Sequence, residues 1–405
     1  MHDKENNKIY KGLRKKGLTV AEKKKELEKK VDSCKEKGEL PVANIIVAGI
    51  TGSGKSTLVN AVFGEEMAAT GMGKPVTEHI AEYKPKDKPI CIWDTVGFEL
   101  DSSKTGASIK SIRETIRKKA KSEDVFDRIH AIWYCITADS NRVQPKEIEF
   151  IKRLYEEGVP FIIVITKCHL AEEDTDRFEN EIKNATEENG MNNIDIIQIL
   201  AKPYKARGAD KPIPSFGLPK LIDVTLAKLP KFIVSAFTAA QKVNKNVKRD
   251  ECGKIILRIA RESIGFLNKL VIIGIIPLSM NIREMLIGIS KQYNEVVPDV
   301  KIDEFILPRL KDLLLMWAKA QLPIDMVKSQ IFDFLEEKER EGFKLKNCKM
   351  SDFGKTQYLI VYVGVSFVEA YEQVWDEVND GQLKELKEKT DRLAEVLKVK
   401  FRNYK

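Results

Sequence analysis

The amino-acid sequence predicts an α/β domain, built on a mostly parallel six-stranded sheet with helices on both faces and one antiparallel edge strand, followed by an all-α domain. Three observations carry that prediction. Short apolar runs alternate with longer amphipathic stretches over residues 41–230. A glycine-rich loop stands between the first apolar run and the first amphipathic stretch, and beyond Pro230 the strand signal gives way to a helical period. The 405 residues exceed what one core comfortably serves, so the chain divides into a charged helical extension at 1–40, the α/β domain at 41–230 and a helical domain at 231–405.

Taken in order, the extension contains Thr19-Val20-Ala21-Glu22, a hydroxyl three residues ahead of a carboxylate, before a Lys/Glu-rich run that stops near Gly38 and Pro41. That is the signature of a capped, solvated helix. Residues 44–50, 90–93, 128–136, 160–165 and 194–200 are the strand-like runs, and a polar strand at 79–83 joins the 90–93 strand through a turn at 84–88 containing Pro85. Segments 104–121, 145–157, 175–188 and 218–229 carry the helical period between them. Strands that alternate with helices imply parallel neighbours covered on both faces. Further helices are predicted at 232–263, 301–320, 326–342, 356–378 and 382–401, with an apolar hairpin near 264–294. Its most apolar stretch, 270–280, contains Gly274 and Pro277 and is about half the roughly 20 residues that cross a bilayer, so a buried hairpin is expected.

Composition narrows the function classes. With 43% hydrophobic and 32% charged residues, 23 glycines and 15 prolines, the chain is neither disordered nor collagenous. The net charge of +8 sits at the ends: residues 1–40 hold 13 Lys and Arg against 8 acids, and 380–405 hold 8 against 5. A broad basic groove for nucleic acid is therefore not expected. The six cysteines form no CxxC pair and no charged-then-apolar leader opens the sequence, so a reducing, cytoplasmic compartment is expected. The four histidines never stand at metal-ligand spacing with a carboxylate, which argues against a protein-built zinc site.

Gly49-Ile50-Thr51-Gly52-Ser53-Gly54-Lys55-Ser56 follows an apolar strand and opens a helix, the setting a phosphate-binding loop requires. Backbone amides across Thr51, Gly52, Ser53, Gly54, Lys55, Ser56 and Thr57 can converge on a phosphate. Lys55 neutralises β- and γ-oxygens, and the Ser56 hydroxyl ligates Mg²⁺. A second phosphate-side element, Asp94-Thr95-Val96-Gly97, closes a later strand; Asp94 would hold Mg²⁺ through water and Gly97 would offer its N–H to a γ-phosphate. Between the two, Thr77 is the candidate mobile hydroxyl for the metal, with Thr70 its competitor.

Thr166-Lys167-Cys168-His169 and Leu200-Ala201-Lys202 end two further strands, where base-reading loops would stand. The five elements in this order resemble the G domain of the TRAFAC-class GTPases, especially the Era-like group, over about 190 residues. The resemblance implies a P-loop G domain binding GTP and GDP with Mg²⁺. It assigns Lys55, Thr77 and Gly97 to catalysis, with Glu99 a further candidate, and Thr166, Lys167, His169, Ala201 and Lys202 to the base. Two positions depart from the pattern. The family's fourth motif ends in an aspartate that accepts both guanine N–H groups, and here that residue is His169, whose neutral ring has one acceptor. The position after Gly97, where many relatives carry a water-orienting glutamine, is Phe98, so slow hydrolysis is expected. More loosely, Ala239-Ala240-Gln241-Lys242-Val243 and the later helices resemble a helical domain of unknown function that follows the G domain in some bacterial GTPases.

These readings lead to a nucleotide switch whose helical domain senses the bound state, with a homodimer, a protein effector or a peripheral membrane contact as its expected partners. A non-hydrolysing scaffold, a dynamin-like membrane factor and a ribosome-associated factor, with relaxed purine selectivity, are the alternatives.

Overall fold

The computed structural model describes residues 40–64, 74–77, 80–86, 88–95, 104–122, 124–140, 142–263, 275–308, 310 and 355–402. The chain separates into two compact units, 1–244 and 245–405.

In the first unit the strands are β1 (Ala43–Ala48), β2 (Lys74–Thr77), β3 (Ile80–Tyr83), β4 (Ile90–Thr95), β5 (Ala131–Thr137), β6 (Phe161–Thr166) and β7 (Asp195–Gln198). They form one sheet in the order β2-β3-β4-β1-β5-β6-β7. The sheet is the expected mostly parallel one, with β3 alone running against the rest. It carries one strand more than the six predicted: β2 pairs with β3 and takes the edge, so the antiparallel strand lies one place in. Lys74-Pro75-Val76-Thr77 has no alternating pattern to announce a strand, and its proline is tolerated because an edge strand need not donate on both sides.

The helices are α1 (Lys55–Phe63), α2 (Lys104–Ala120), α3 (Pro145–Tyr155), α4 (Glu172–Glu188), α5 (Leu218–Lys228) and α6 (Lys231–Ala240). β1, β5 and β6 are buried at every position, as expected of strands covered on both faces. Alternate residues serve opposite cores. Ile46, Ile132, Tyr134, Ile163 and Ile165 pack with Ile109, Ile112 and Ile116 of α2, Ile148 and Ile151 of α3 and Phe178 and Ile182 of α4. On the other face Trp133 stacks on Phe63 of α1 with centroids 5.9 Å apart, meets Phe237 of α6 edge-on at 6.1 Å, and donates its indole N–H to Thr225 Oγ1 of α5 at 3.1 Å.

The boundary between the units falls at Asn244, not at the 230/231 junction expected from the loss of strand signal. Helix α6 explains the shift: its Ile233, Ala236 and Phe237 are fully buried, and it packs on β1 and β4. The segment after it is also tied down, with Lys242 N–H donating to Val62 O at 2.8 Å and Gln241 Oε1 accepting from the amides of Val243 and Asn244.

The second unit is helical: α7 (Lys245–Glu262), α8 (Ile275–Gln292), α9 (Lys355–Asn379) and α10 (Leu386–Arg402), with Asp299–Lys301 running into a wide helical turn at Ile302–Ile306. Helix α9 is buried around most of its circumference, which makes it the centre of the unit. Gly364 lets α7 approach, since a methyl there would stand 2.7 Å from Ile256 Cγ1. Arg249 pairs with Glu372 through two bonds of 2.8 and 2.9 Å, and the buried Lys248 donates to Gln292 O at 2.6 Å. The N-terminal extension, the 326–342 helix, most of the 301–320 helix and residues 264–274 of the apolar hairpin lie outside the described residues. Among the described residues no helix is long and apolar enough to cross a membrane.

Candidate functional site

The strand order changes direction at β1: the chain passes from β1 to neighbours on one side and later to β5 on the other. Ligand sites of such sheets lie at the carboxyl ends of strands at this switch point. The ends of β1, β4, β5 and β6 bring the glycine-rich loop, Asp94, Asp139 and the 166–169 segment to one edge, with Val47 level with Asp94 and Thr137 level with Thr166.

The loop is shaped by backbone conformations that favour glycine. Gly52 and Gly54 both have φ of +80°, and Gly49 has φ of +145° with so little room that a methyl would sit 2.3 Å from Cys135 O. Gly54 is the N-cap of α1 and supplies no capping side chain. The first helical bond runs from Leu58 to Gly54, so the amides of Lys55, Ser56 and Thr57 stand as the N-terminal donors of the helix, while the Ser56 and Thr57 residues are exposed. Lys55 Nζ donates to the carbonyls of Gly49 at 2.9 Å and Ile50 at 3.1 Å. Burial pulls its pKa down, and the nearby Cys135 and Asp94 pull it back.

Asp94 stands on β4 level with Val47 of β1. Its Oδ1 is buried and, among the described residues, has no hydrogen-bond partner. Burial pushes its pKa up to about 6, against the pull of Lys55. A buried carboxylate oxygen without a partner is costly unless a cation or donor joins it. Together with the exposed Ser56 hydroxyl it is a donor set of hard oxygens that fits Mg²⁺.

Thr166, expected at the base, also touches the glycine-rich loop. Its hydroxyl is 2.7 Å from Ser53 O and 3.2 Å from Ile136 O, and it lies against Gly54. It therefore fastens the phosphate loop to the ends of β5 and β6. Lys167 follows with φ of +55°, a bend that lets His169 N–H donate to Lys167 O at 2.7 Å. Cys168 N–H donates to Ile199 O and Ile199 N–H to Ile165 O, so the ladder continues past β6 and β7 and carries Ala201 and Lys202 toward the 166–169 segment.

Two residues that sequence reading did not single out stand in the same cluster. Asp139 Oδ2 lies 3.3 Å from Lys167 Nζ and its Oδ1 3.5 Å from His169 Nε2. Tyr204 stacks on the His169 ring with centroids 4.1 Å apart and planes 29° from parallel. Neither belongs to a spaced motif; Asp139 follows β5 and Tyr204 sits in a hairpin bridged to Ile213. Thr77 lies on β2, but its side chain is outside the description; Thr70, Gly97, Phe98 and Glu99 lie outside the described residues.

The family described as "50S ribosome-binding GTPase" matches residues 44–167. Septin-9 of Rattus norvegicus is 27% identical over 173 residues, which is 36% of this chain and 30% of that protein. Neuronal-specific septin-3 of Mus musculus is 25% identical over 172 residues, 36% of this chain and 49% of that protein. The chain thus spans less than half the length of these curated relatives. Among solved structures, a probable GTP-binding protein engB has a TM-score of 0.32 at 21% identity, covering 46% of this chain and 97% of its own. The translation elongation factor SelB from Methanococcus maripaludis, in complex with the GTP analogue GppNHp, has a TM-score of 0.31 at 21% identity, covering 47% of this chain and 35% of its own. The glycine loop on β1 and the buried aspartate on β4, unpartnered among the described residues, give this stretch the fold of a P-loop G domain, and residues 44–167 are what resembles the matched GTPase family.

Proposed function

We propose that the protein is a Mg²⁺-dependent guanine-nucleotide switch of the Era-like group that hydrolyses GTP slowly to GDP and phosphate. The observation that carries this reading is the buried Asp94 oxygen, unpartnered among the described residues, in the electrostatic reach of Lys55. Ser56, Thr77 and Asp94 would hold the metal, which would neutralise charge on the β- and γ-phosphates when bound. The amides of residues 52–57 would donate to the phosphate oxygens, and Lys55 would exchange its two loop carbonyls for them. Gly97 would report the γ-phosphate to the following segment, and the helical unit would read its order. Phe98 offers no group to orient water, so turnover is slow unless self-association or a partner supplies one, with Glu99 the nearest candidate helper.

The test is direct. Lys55→Ala should weaken GTP and GDP binding by at least about 100-fold, because a charge-assisted contact worth several kcal/mol is lost. Wild-type protein should release phosphate from Mg·GTP faster than from Mg·ATP. Absent release from both would remove the enzymatic claim and leave the second reading, a non-hydrolysing nucleotide-dependent scaffold, which Phe98 favours, whereas equal release from both would remove only the guanine preference. A cytoplasmic location, a homodimer and a peripheral membrane contact belong to the same proposal; liposome flotation and sedimentation with and without nucleotide test the latter two. Ribosome association, named in the matched family's description, is a separate proposal that nucleotide-dependent co-sedimentation with ribosomes tests.

A further inference from the structure

The base-reading motif that this chain resembles ends in a carboxylate, and here His169 stands there instead. The ring is held on two sides. Tyr204 stacks against its face at 4.1 Å, and Asp139 Oδ1 lies 3.5 Å from Nε2. Asp139 is itself anchored: Thr137 Oγ1 donates to its Oδ2 at 3.3 Å, its own N–H donates to Thr137 Oγ1 at 3.3 Å, and Lys167 Nζ stands 3.3 Å from Oδ2. An ionised carboxylate only accepts, so its position 3.5 Å from Nε2 favours the tautomer that carries the proton on that nitrogen. In a neutral imidazole that choice leaves Nδ1 with the lone pair.

One acceptor is enough to pair with the N1–H of a 6-oxopurine, which guanine and hypoxanthine share. Adenine presents a lone pair at N1 and would meet Nδ1 as acceptor against acceptor. The 2-amino group that separates guanine from hypoxanthine would need a second acceptor, which His169 lacks. We propose that Asp139 is a positioning residue that fixes the His169 tautomer, and that the chain therefore takes guanine and hypoxanthine nucleotides alike while rejecting adenine nucleotides. The inference rests on the nucleotide-binding reading given under Proposed function and names the substrate class of that same site.

Calorimetry on the full chain with Mg²⁺ and GDP, IDP or ADP tests it, using wild type, His169→Asp, Asp139→Leu and Asp139→Asn. Wild type should bind GDP and IDP within about threefold of each other and ADP at least about 30-fold more weakly. His169→Asp restores two acceptors and should open a GDP preference over IDP of about tenfold or more. Asp139→Leu should bring ADP to within about threefold of GDP, whereas Asp139→Asn, whose amide oxygen still accepts from Nε2–H, should keep the wild-type pattern. ¹⁵N spectra of histidine-labelled protein give an independent readout, with the His169 resonances assigned by their loss in His169→Asp. The Nε2–H tautomer should dominate in wild type and Asp139→Asn and become mixed in Asp139→Leu, while the other three histidine signals stay in place and report an intact fold. A wild-type preference for GDP over IDP above tenfold, or an unchanged tautomer in Asp139→Leu, would overturn the inference. No binding of any of the three diphosphates would instead overturn the nucleotide-binding reading beneath it.

Discussion

At the scale of single residues, the loop glycines differ in why they are glycine. Gly49 faces a carbonyl 2.3 Å from any added methyl, whereas Gly52 has open space around it and only its φ of +80° to satisfy. Gly49→Ala should therefore cost about 3 kcal/mol or more of folding stability and Gly52→Ala about 1, read from urea denaturation. His130 gives a pH prediction with a definite sign. Its Nδ1 accepts from Asn44 N–H at 2.9 Å, and burial pushes its pKa down to about 4 from 6.5. Between those values the folded chain binds fewer protons than the unfolded one, so stability present above about pH 6.5 is lost as the pH falls toward 4. The loss should reach about 3 kcal/mol, and His130→Gln should flatten that part of the stability-pH curve.

At the scale of elements, the site is held by strand ends together with the N-terminus of α1. Thr166 joins β6 to the phosphate loop through Ser53 O and to β5 through Ile136 O. Thr166→Val keeps the shape and removes the donor, leaving Ser53 O without that bond in a buried place. Stability should fall by about 1–2 kcal/mol and GDP affinity about tenfold, with no change in the preference among bases; an affinity left intact would mean that the loop holds itself. The place of Thr166-Lys167-Cys168-His169 after a strand makes the segment a candidate base reader but does not show its first residue as a loop fastener, because that role depends on where β5 and the glycine-rich loop end in space. The edge strand β2 was likewise illegible: a four-residue strand containing proline has neither the length nor the alternation that periodicity detects.

At the scale of the whole molecule, the division into units predicts where the chain can be cut. Residues 1–244 keep α6 on the sheet, with Phe237 meeting Phe63 and Trp133 and Lys242 bonded to Val62. A fragment ending at Asn244 should fold and bind GDP with affinity close to the full chain. One ending at Pro230 loses Ile233, Ala236 and Phe237 from a buried face and should be less stable by several kcal/mol, near the limit of folding; equal melting temperatures for the two fragments would disprove this boundary. The loss of strand signal at Pro230 marks a change of secondary structure. The end of the first core lies further on, because an amphipathic helix is assigned to a unit by the surface that covers it.

The sequence by itself determined the parallel sheet, the phosphate loop with Lys55 and Ser56, the partner strand ending at Asp94, and the helical character of the second unit. Those are local patterns, in which a residue's neighbours in the chain decide its conformation and its chemistry. Only the tertiary structure decided that Asp139 and Tyr204 flank His169, that Thr166 grips the loop and that α6 belongs to the first unit. Each of these is a contact between segments from about 30 to more than 100 residues apart in the chain, and such contacts are set by strand order and packing, which no window of sequence contains.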